Sequence, residues 1–335
     1  MTASQPRSQA SRPAGGAILA LSGGIGGAKL ALGLSHALPP ERLTVVVNTG
    51  DDFEHLGLAV SPDLDTVLYT LAGLANPETG WGRRDETWSF MAALESLGGP
   101  TWFKLGDGDL AMHVERTRRL AAGERLTVIA DDIRARLGIG ARVLPMTDAR
   151  VRTLVETDEG VLAFQEYFVA RQSAPRVSAI RFEGAEEAAP APEVAAALAA
   201  PELAGIVVCP SNPWLSVDPI LAVAGMRAAL RATGVPIVVV SPLVGGAAVK
   251  GPTGKIMDEL GLARDQRAIA AHYAGLVDGF VLDHRDAAAE ATIDSPVLVT
   301  NTLMRSLDDR IRLAADVVAF CHDLGRRQSR KKAQS

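Results

Sequence analysis

The sequence predicts an α/β protein built on a doubly wound, mainly parallel sheet, with a helical insertion and a small hairpin. Three observations carry that expectation. Residues 17–47 run from strand through a glycine-rich turn and helix to a second strand, the order and spacing of a βαβ unit. Short apolar runs recur beside helical segments further along, as strands buried on both faces of a parallel sheet do. The composition, 47% hydrophobic, 4% aromatic and rich in alanine, suits a soluble core of this class. Together they point to a Rossmann-like architecture.

The elements follow in order. Residues 1–15 are rich in Ser, Ala, Arg and Pro and read as a disordered leader. Ala17–Leu21 is the first strand. Ser22–Lys29 (SGGIGGAK) is the turn, Leu30, Leu32 and Leu34 mark the helix, and Leu43–Val47 is the second strand. A loop with Asp51, Asp52, Glu54, Asp63 and Asp65 then gives way to a helix-like apolar run ending near Ala72. Residues 83–140 read as mostly helical, including Trp88–Leu97 and Ala111–Ala122. Val151–Glu156 and Val161–Phe168, around Asp158-Glu159-Gly160, read as a hairpin. The Ala/Pro/Glu-rich stretch 183–204 reads as a peripheral helix with loose flanks. Strands return at Gly205–Cys209, Ile237–Val240, Gly279–Leu282 and Val297–Val299. The expectation is one domain over residues 16–325, with an insertion at 83–200 and a basic tail at 326–335.

Bulk properties narrow the function. A formal charge of -5 argues against nonspecific nucleic-acid binding. No apolar run reaches the ~18 residues of a membrane span, and the leader lacks the apolar region of a secretory signal. Cys209 and Cys321 lie far apart without metal-ligand spacing and read as buried thiols of a cytoplasmic protein.

Polar, glycine-rich segments follow several strands, where open α/β sheets bind ligands. The aspartate loop suits a metal-and-hydroxyl site, with helix capping by Asp63 or Asp65 as the alternative. Gly23, Gly24, Gly26, Gly27 and Lys29 suit an anion at a helix N-terminus, or a tight turn made for packing. Lys104-Leu105-Gly106-Asp107-Gly108-Asp109 puts a lysine before a Gly-Asp turn, with His113 and Arg116 close behind. Asp109 either orients a ligand or caps the following helix, and a lone histidine there is more often structural. Ser211-Asn212 between two prolines, Gly245-Gly246, and Lys255 complete the set. Lys255 suits a diphosphate or a surface position.

Taken in order, LSGGIGGAKL, VVVNTGDDFEHLGLAVSPDLDTVLYTL, FKLGDGD, VLPMTD, CPSNPWLSVDPI and SPLVGGAAVKGPTGK resemble the 2-phospho-L-lactate transferase family of coenzyme F420 biosynthesis. The likeness spans Ile18 to Leu303. One departure is Gly108, where the family pattern has a basic residue between the two aspartates. The resemblance implies a magnesium-dependent transfer from a guanosine diphospho-linked three-carbon acid to 7,8-didemethyl-8-hydroxy-5-deazariboflavin (Fo), releasing GMP. It implies that Asp65 and Lys104 contact Fo, and a homodimer is expected. Asp51, Asp52 and Asp65 are expected to divide catalysis, with Asp51 and Asp65 on Mg2+. The glycine turn, Lys29, Ser211, Asn212, Gly245, Gly246 and Lys255 are expected around the nucleotide and its phosphates. The alternative is a nonenzymatic nucleotide-sugar-binding regulator of the same fold. The continuation Phe53-Glu54-His55-Leu56-Gly57 and the later Ser61-Pro62-Asp63-Leu64-Asp65 favour the transferase. An NAD-dependent dehydrogenase is weaker, because the glycines are compressed and Asn48 stands where an acid is needed.

Overall fold

A computed structural model describes residues 15–334. The leader expected over 1–15 lies, save for Gly15, outside the described residues. In chain order the first strands are β1 (Ala17–Ser22), β2 (Leu43–Val47), β3 (Phe53–His55), β4 (Leu58–Val60), β5 (Arg142–Pro145), β6 (Arg152–Thr157) and β7 (Gly160–Ala163). Then come β8 (Val177–Glu183), β9 (Leu203–Val208), β10 (Ile237–Val240), β11 (Leu243–Val244), β12 (Ala247–Ala248), β13 (Gly279–Asp283) and β14 (Val297–Thr300). The helices that shape the site are α1 (Gly24–Ala37), α2 (Pro62–Leu71), α3 (Ser89–Ser96), α4 (Asp107–Ala121) and α5 (Leu126–Arg136).

Seven strands form the main sheet in the order β14-β13-β10-β9-β1-β2-β5, parallel at every pairing. The chain builds outward from β1 through β2 to β5, then returns to β9 on the other side of β1 and builds outward again. The order therefore reverses between β1 and β9, and the crevice beyond their carboxyl ends is the switch point where such sheets take ligands.

The strands alternate between two cores. Ile18, Ala20, Val45, Val47, Val207 and Val238 face α1, α2 and the C-terminal helix Leu307–Gln334. Leu19, Leu21, Val46, Ile206, Val208 and Val239 face a second layer made of the 3-stranded β7-β6-β8 sheet and the helices of residues 192–272. Both faces are covered, so the strands read as continuous apolar runs. The tail expected from residue 326 continues the C-terminal helix to Gln334.

Four local findings differ from or add to the sequence reading. Arg142–Pro145, within the span read as helical insertion, is a strand of the main sheet. The hairpin gains a third strand, since β8 pairs antiparallel with β6. The expected strand Val161–Phe168 ends at Ala163 and turns helical, where Phe164 and Phe168 stack with centroids 5.3 Å apart, a spacing of four residues that favours a helical turn. A further hairpin, β3 with β4, stands inside the aspartate loop.

Candidate functional site

The site is built on the β1–β9 seam. Ser22 ends β1, Gly24 enters α1 in the left-handed region at φ 62°, and α1 has no side-chain cap and no acid in its first turn. Ser211, beyond β9, joins the two halves of the sheet: its Oγ accepts from the Gly23 N–H at 3.1 Å and donates to the Gly23 carbonyl at 2.7 Å. The contact leaves no room for larger residues. A Cβ on Gly26 would lie 2.2 Å from the Pro210 carbonyl oxygen, and one on Gly27 2.6 Å from Ser211 Oγ. The packing alternative thus holds for these glycines. Asn212 accepts from the Trp214 and Leu215 N–H groups at 3.0 and 3.1 Å and donates to Thr253 Oγ1 at 3.0 Å.

The aspartates divide into two groups. Asn48, directly after β2, donates to Asp63 Oδ2 at 2.9 Å and accepts from the Gly50 N–H at 2.8 Å. Asp63, on α2, also touches the start of α1, so that a Cβ on Gly23 would lie 2.7 Å from Asp63 Oδ2. Asp51 is buried beside it, with Thr153 Oγ1 at 3.4 Å. Asp52 takes a 2.7 Å bond from Ser61, and its Oδ1 is buried with no hydrogen-bond partner. Burial, then the neighbouring Asp63 charge, pushes the Asp51 carboxyl well above its ordinary range. Burial does the same to Asp52, against the Ser61 bond and the Arg116 charge. Asp63 is raised by burial despite its bonds from Asn48 and Gly24. The charges of Asp51, Asp52 and Asp63 act on one another, and among the described residues no cation pairs with any of the three within 4.0 Å.

Asp65 belongs to the second group. Arg116 on α4 holds both its oxygens, Nη1 at 3.1 Å and Nη2 shorter still. His113 Nδ1 lies 3.7 Å from Asp65 Oδ2, and its Nε2 lies 3.2 Å from Asp109 Oδ2. Tyr69 donates to Asp109 Oδ1 at 2.6 Å. Asp65, Asp109 and His113 offer ligand atoms within 4.8 Å of one another, yet Arg116 already neutralises Asp65. Neither Asp63 nor Asp65 caps α2, whose N-cap Ser61 turns to Asp52 instead. Nor does Asp109 cap α4: Glu86 accepts from the Gly108 and Asp109 N–H groups at 2.7 and 2.9 Å. Asp107 accepts from the Ser89 and Phe90 N–H groups at the start of α3, both at 3.0 Å. Lys104 is exposed just before α4. At Gly108, a Cβ would lie 2.9 Å from the Arg83 guanidinium, and Arg83 donates to the Gly108 carbonyl at 3.2 Å.

Two expected phosphate groups are engaged within the protein. The Gly245 and Gly246 N–H groups donate to the Asp286 carboxylate at 2.7 and 2.9 Å. Lys255 Nζ donates to the Pro175 carbonyl and to Glu259, both at 2.7 Å. Lys29 stands half-buried on α1, one turn past the glycines.

Residues 18–311 match the family described as 2-phospho-L-lactate transferase CofD. The chain belongs to the 2-phospho-L-lactate transferase family. It is 45% identical to a phosphoenolpyruvate transferase of Streptomyces griseus over 83% of this chain and 89% of the relative. It is 42% identical to a 2-phospho-L-lactate transferase of Methanopyrus kandleri, over 91% and 97%. A solved structure of a UPF0052 family protein from Bacillus halodurans superposes with a TM-score of 0.57 at 15% identity, covering 91% of this chain and 99% of that one. That likeness is one of fold. The family makes this chain a transferase of the phosphoenolpyruvate and phospholactate type, consistent with coenzyme F420 biosynthesis. No helix among the described residues is long and apolar enough to cross a membrane.

Asn48, which stands where a dehydrogenase would need an acid, bridges Asp63 and the Gly50 turn. Arg116, named in the sequence behind the Lys104 turn, stands three and seven residues after His113 and Asp109, the spacing of one helical face, but its partner Asp65 lies 51 residues away. Tyr69 and Glu86 carry no signal in the sequence, because their partners lie 40 and 22 residues away.

Proposed function

We propose that the chain moves a phospholactyl-type group, derived from phospholactate, phosphoenolpyruvate or phosphoglycerate, from a guanosine diphospho-linked donor to the terminal ribityl hydroxyl of Fo, with release of GMP. The observation that carries this reading is the group Asp51, Asp52 and Asp63 at the carboxyl edge of the sheet, beside the α1 N-terminus and without a cation of its own. Raised carboxyls and the unpartnered Asp52 Oδ1 offer oxygen ligands alone, which suit Mg2+ better than the histidine-containing group at Asp65. Asp51, Asp52 and Asp63 would hold the ion. When bound it neutralises the donor's diphosphate, whose crowded charge otherwise repels an attacking hydroxyl.

Asp65 has a different part. Its carboxylate is fixed by Arg116, so a remaining lone pair can orient the acceptor hydroxyl, with Lys104 on the same ligand. The β1–β9 seam supplies rigidity, since Ser211 fixes Gly23 at the entry to α1. The reading extends to a cytoplasmic homodimer.

The test is a coupled assay with Fo, the guanosine-linked donor and Mg2+, following GMP by chromatography. Wild type should form GMP in proportion to the modified deazaflavin. Asp65→Asn should lose turnover by about 100-fold or more, as expected for a positioning group at the reacting atoms. Full turnover by Asp65→Asn would remove it from the reaction.

A further inference from the structure

A cavity of about 380 Å³ lies beyond the carboxyl ends of β2 and β5, between the β3–β4 hairpin, the end of α4 and the segment Asp148–Arg152. Small-molecule sites usually measure roughly 300–1,000 Å³, with apolar walls and a few convergent polar groups. Phe53, Val60, Leu120 and Val151 supply the apolar walls here. The polar groups come from the aspartate loop and from the start of β6, which are tied together. Thr153 donates its N–H to the Gly50 carbonyl at 2.7 Å, and its Oγ1 lies 3.4 Å from Asp51 Oδ1. Side chains alternate along a strand, so Arg152 turns the other way, where it lines the cavity with Arg150.

Among the described residues neither arginine has a carboxylate within 4.0 Å, and Arg152 Nε is buried without a hydrogen-bond partner. Thr49 is a second orphan on the same cavity: it is 3% exposed, and its hydroxyl meets no partner. Buried polar atoms are normally paired, so two of them on one cavity mark a place for a ligand's oxygens. The carboxylates on the lining are otherwise disposed. Asp148 is held by Arg125 at 2.9 Å and by the Thr127 hydroxyl at 2.8 Å, Asp52 takes its bond from Ser61, and Glu54 is exposed. Burial, then the Arg150 charge, draws the Arg152 guanidinium below its ordinary value, against the pull of Glu183 and Glu54.

We infer that this cavity is a binding site for a compact organic anion, whose apolar body lies on Phe53, Leu120 and Val151 and whose carboxylate or ionised hydroxyl meets Arg152, Arg150 and the Thr49 hydroxyl. A guanidinium fork suits such an oxygen pair, and a bond to a charged group in a partly buried place is among the stronger ones. The nucleotide side of the proposed reaction lies at the β1–β9 seam, so this site is additional to it. An acid from outside the reaction and the ring of the proposed acceptor, through its 8-hydroxyl, share this chemistry.

The test is titration calorimetry of benzoate on wild type, Arg152→Gln, Arg152→Lys and Arg150→Gln. Benzyl alcohol serves as the ring without the charge, and lactate as the charge without the ring. Arg150 is exposed, so its variant reports on binding without disturbing the core, and circular dichroism checks every variant. The expected result is one saturable benzoate site, weakened about tenfold by Arg152→Gln and partly restored by Arg152→Lys. Arg150→Gln should weaken it less, and wild type should bind benzyl alcohol and lactate less tightly than benzoate. Equal benzoate affinity in wild type and both Gln variants overturns the inference, as does the lack of a saturable benzoate site in wild type. Displacement of benzoate by Fo upholds the site and gives it to the acceptor ring. Benzoate that stays bound under saturating Fo upholds it as a site for an acid outside the reaction. None of these readings requires turnover, so a failure of the proposed transfer leaves the test intact.

Discussion

Arg116 on α4 closes on both carboxylate oxygens of Asp65 on α2 at a depth where the two residues are 1% and 5% exposed. The pair joins the segment that follows the aspartate loop to the helix that follows Lys104. It brings two motifs 51 residues apart into contact. It also withdraws Asp65 from the uncompensated carboxylates beside it.

Breaking that pair from the arginine side should be severe. Arg116→Met leaves Asp65 buried and unpaired, which costs about 3–5 kcal/mol. Urea unfolding should show the loss as a fall in midpoint with little change in slope. Arg116→Lys should recover only part of it, because an ammonium cannot take both oxygens in one plane. A loss below about 1 kcal/mol for Arg116→Met would mean that Asp65 finds water or another donor.

The seam between β1 and β9 makes a second demand. Gly26→Ala would put its Cβ 2.2 Å from the Pro210 carbonyl oxygen, a backbone atom that cannot swing away. The expected cost is about 1–3 kcal/mol of stability. Ser211→Ala removes the acceptor of the buried Gly23 N–H, at about 1–3 kcal/mol, and should raise the donor KM more than the Fo KM. Equal effects on both would place the seam's influence on the whole site, not on its nucleotide side.

His55 gives the pH dependence. Its ring is buried on β3 against Trp102, at 5.1 Å between centroids, and Phe103, at 5.6 Å. Burial, then the neighbouring His113, holds its pKa below the ordinary histidine value, which is about 6.5 in the unfolded chain. As pH falls through that value the unfolded chain takes up a proton that the folded chain refuses, so stability present at neutral pH is lost on acidification. Denaturant midpoints should fall between about pH 7 and pH 5, and less steeply for His55→Phe, which keeps the ring. Identical slopes for the two proteins would show that His55 does not titrate in this range.

Much of this architecture is legible from residues because burial on both sheet faces writes itself as apolar runs. Leu43–Val47, Ile237–Val240 and Gly279–Leu282 are read that way, and each is a parallel strand. Arg142–Pro145 escapes because a charged first residue, a closing proline and a length of 4 residues leave no periodicity to detect. The β3–β4 hairpin escapes for a related reason. Its strands have 3 residues each, and its turn is Leu56-Gly57, with φ of 55° and 74°, without the Asn-Gly that announces such turns. The aspartate loop is legible as a carboxylate cluster after a buried strand, and the structure buries Asp51, Asp63 and Asp65 there. Which carboxylate is free and which is paired is not legible, because Arg116, Tyr69 and Asn48 reach their partners only through the tertiary fold.

That division of the carboxylates leads to the cation. If Asp51, Asp52 and Asp63 hold Mg2+, the ion binds only the folded chain, and at a hundredfold excess over its Kd it adds about 2.7 kcal/mol. For a chain of 335 residues the melting temperature should rise by roughly 4 °C. Asp51→Asn and Asp63→Asn should abolish that rise, because each removes a charged oxygen donor while keeping its shape. Asp65→Asn should keep the rise and lose turnover, since its carboxylate answers to Arg116. Differential scanning calorimetry with EDTA or Mg2+ separates these cases without needing the donor or Fo. If Asp65→Asn abolishes the rise and Asp51→Asn keeps it, the cation belongs to the Asp65, Asp109 and His113 group, and Arg116 must then move aside to admit it.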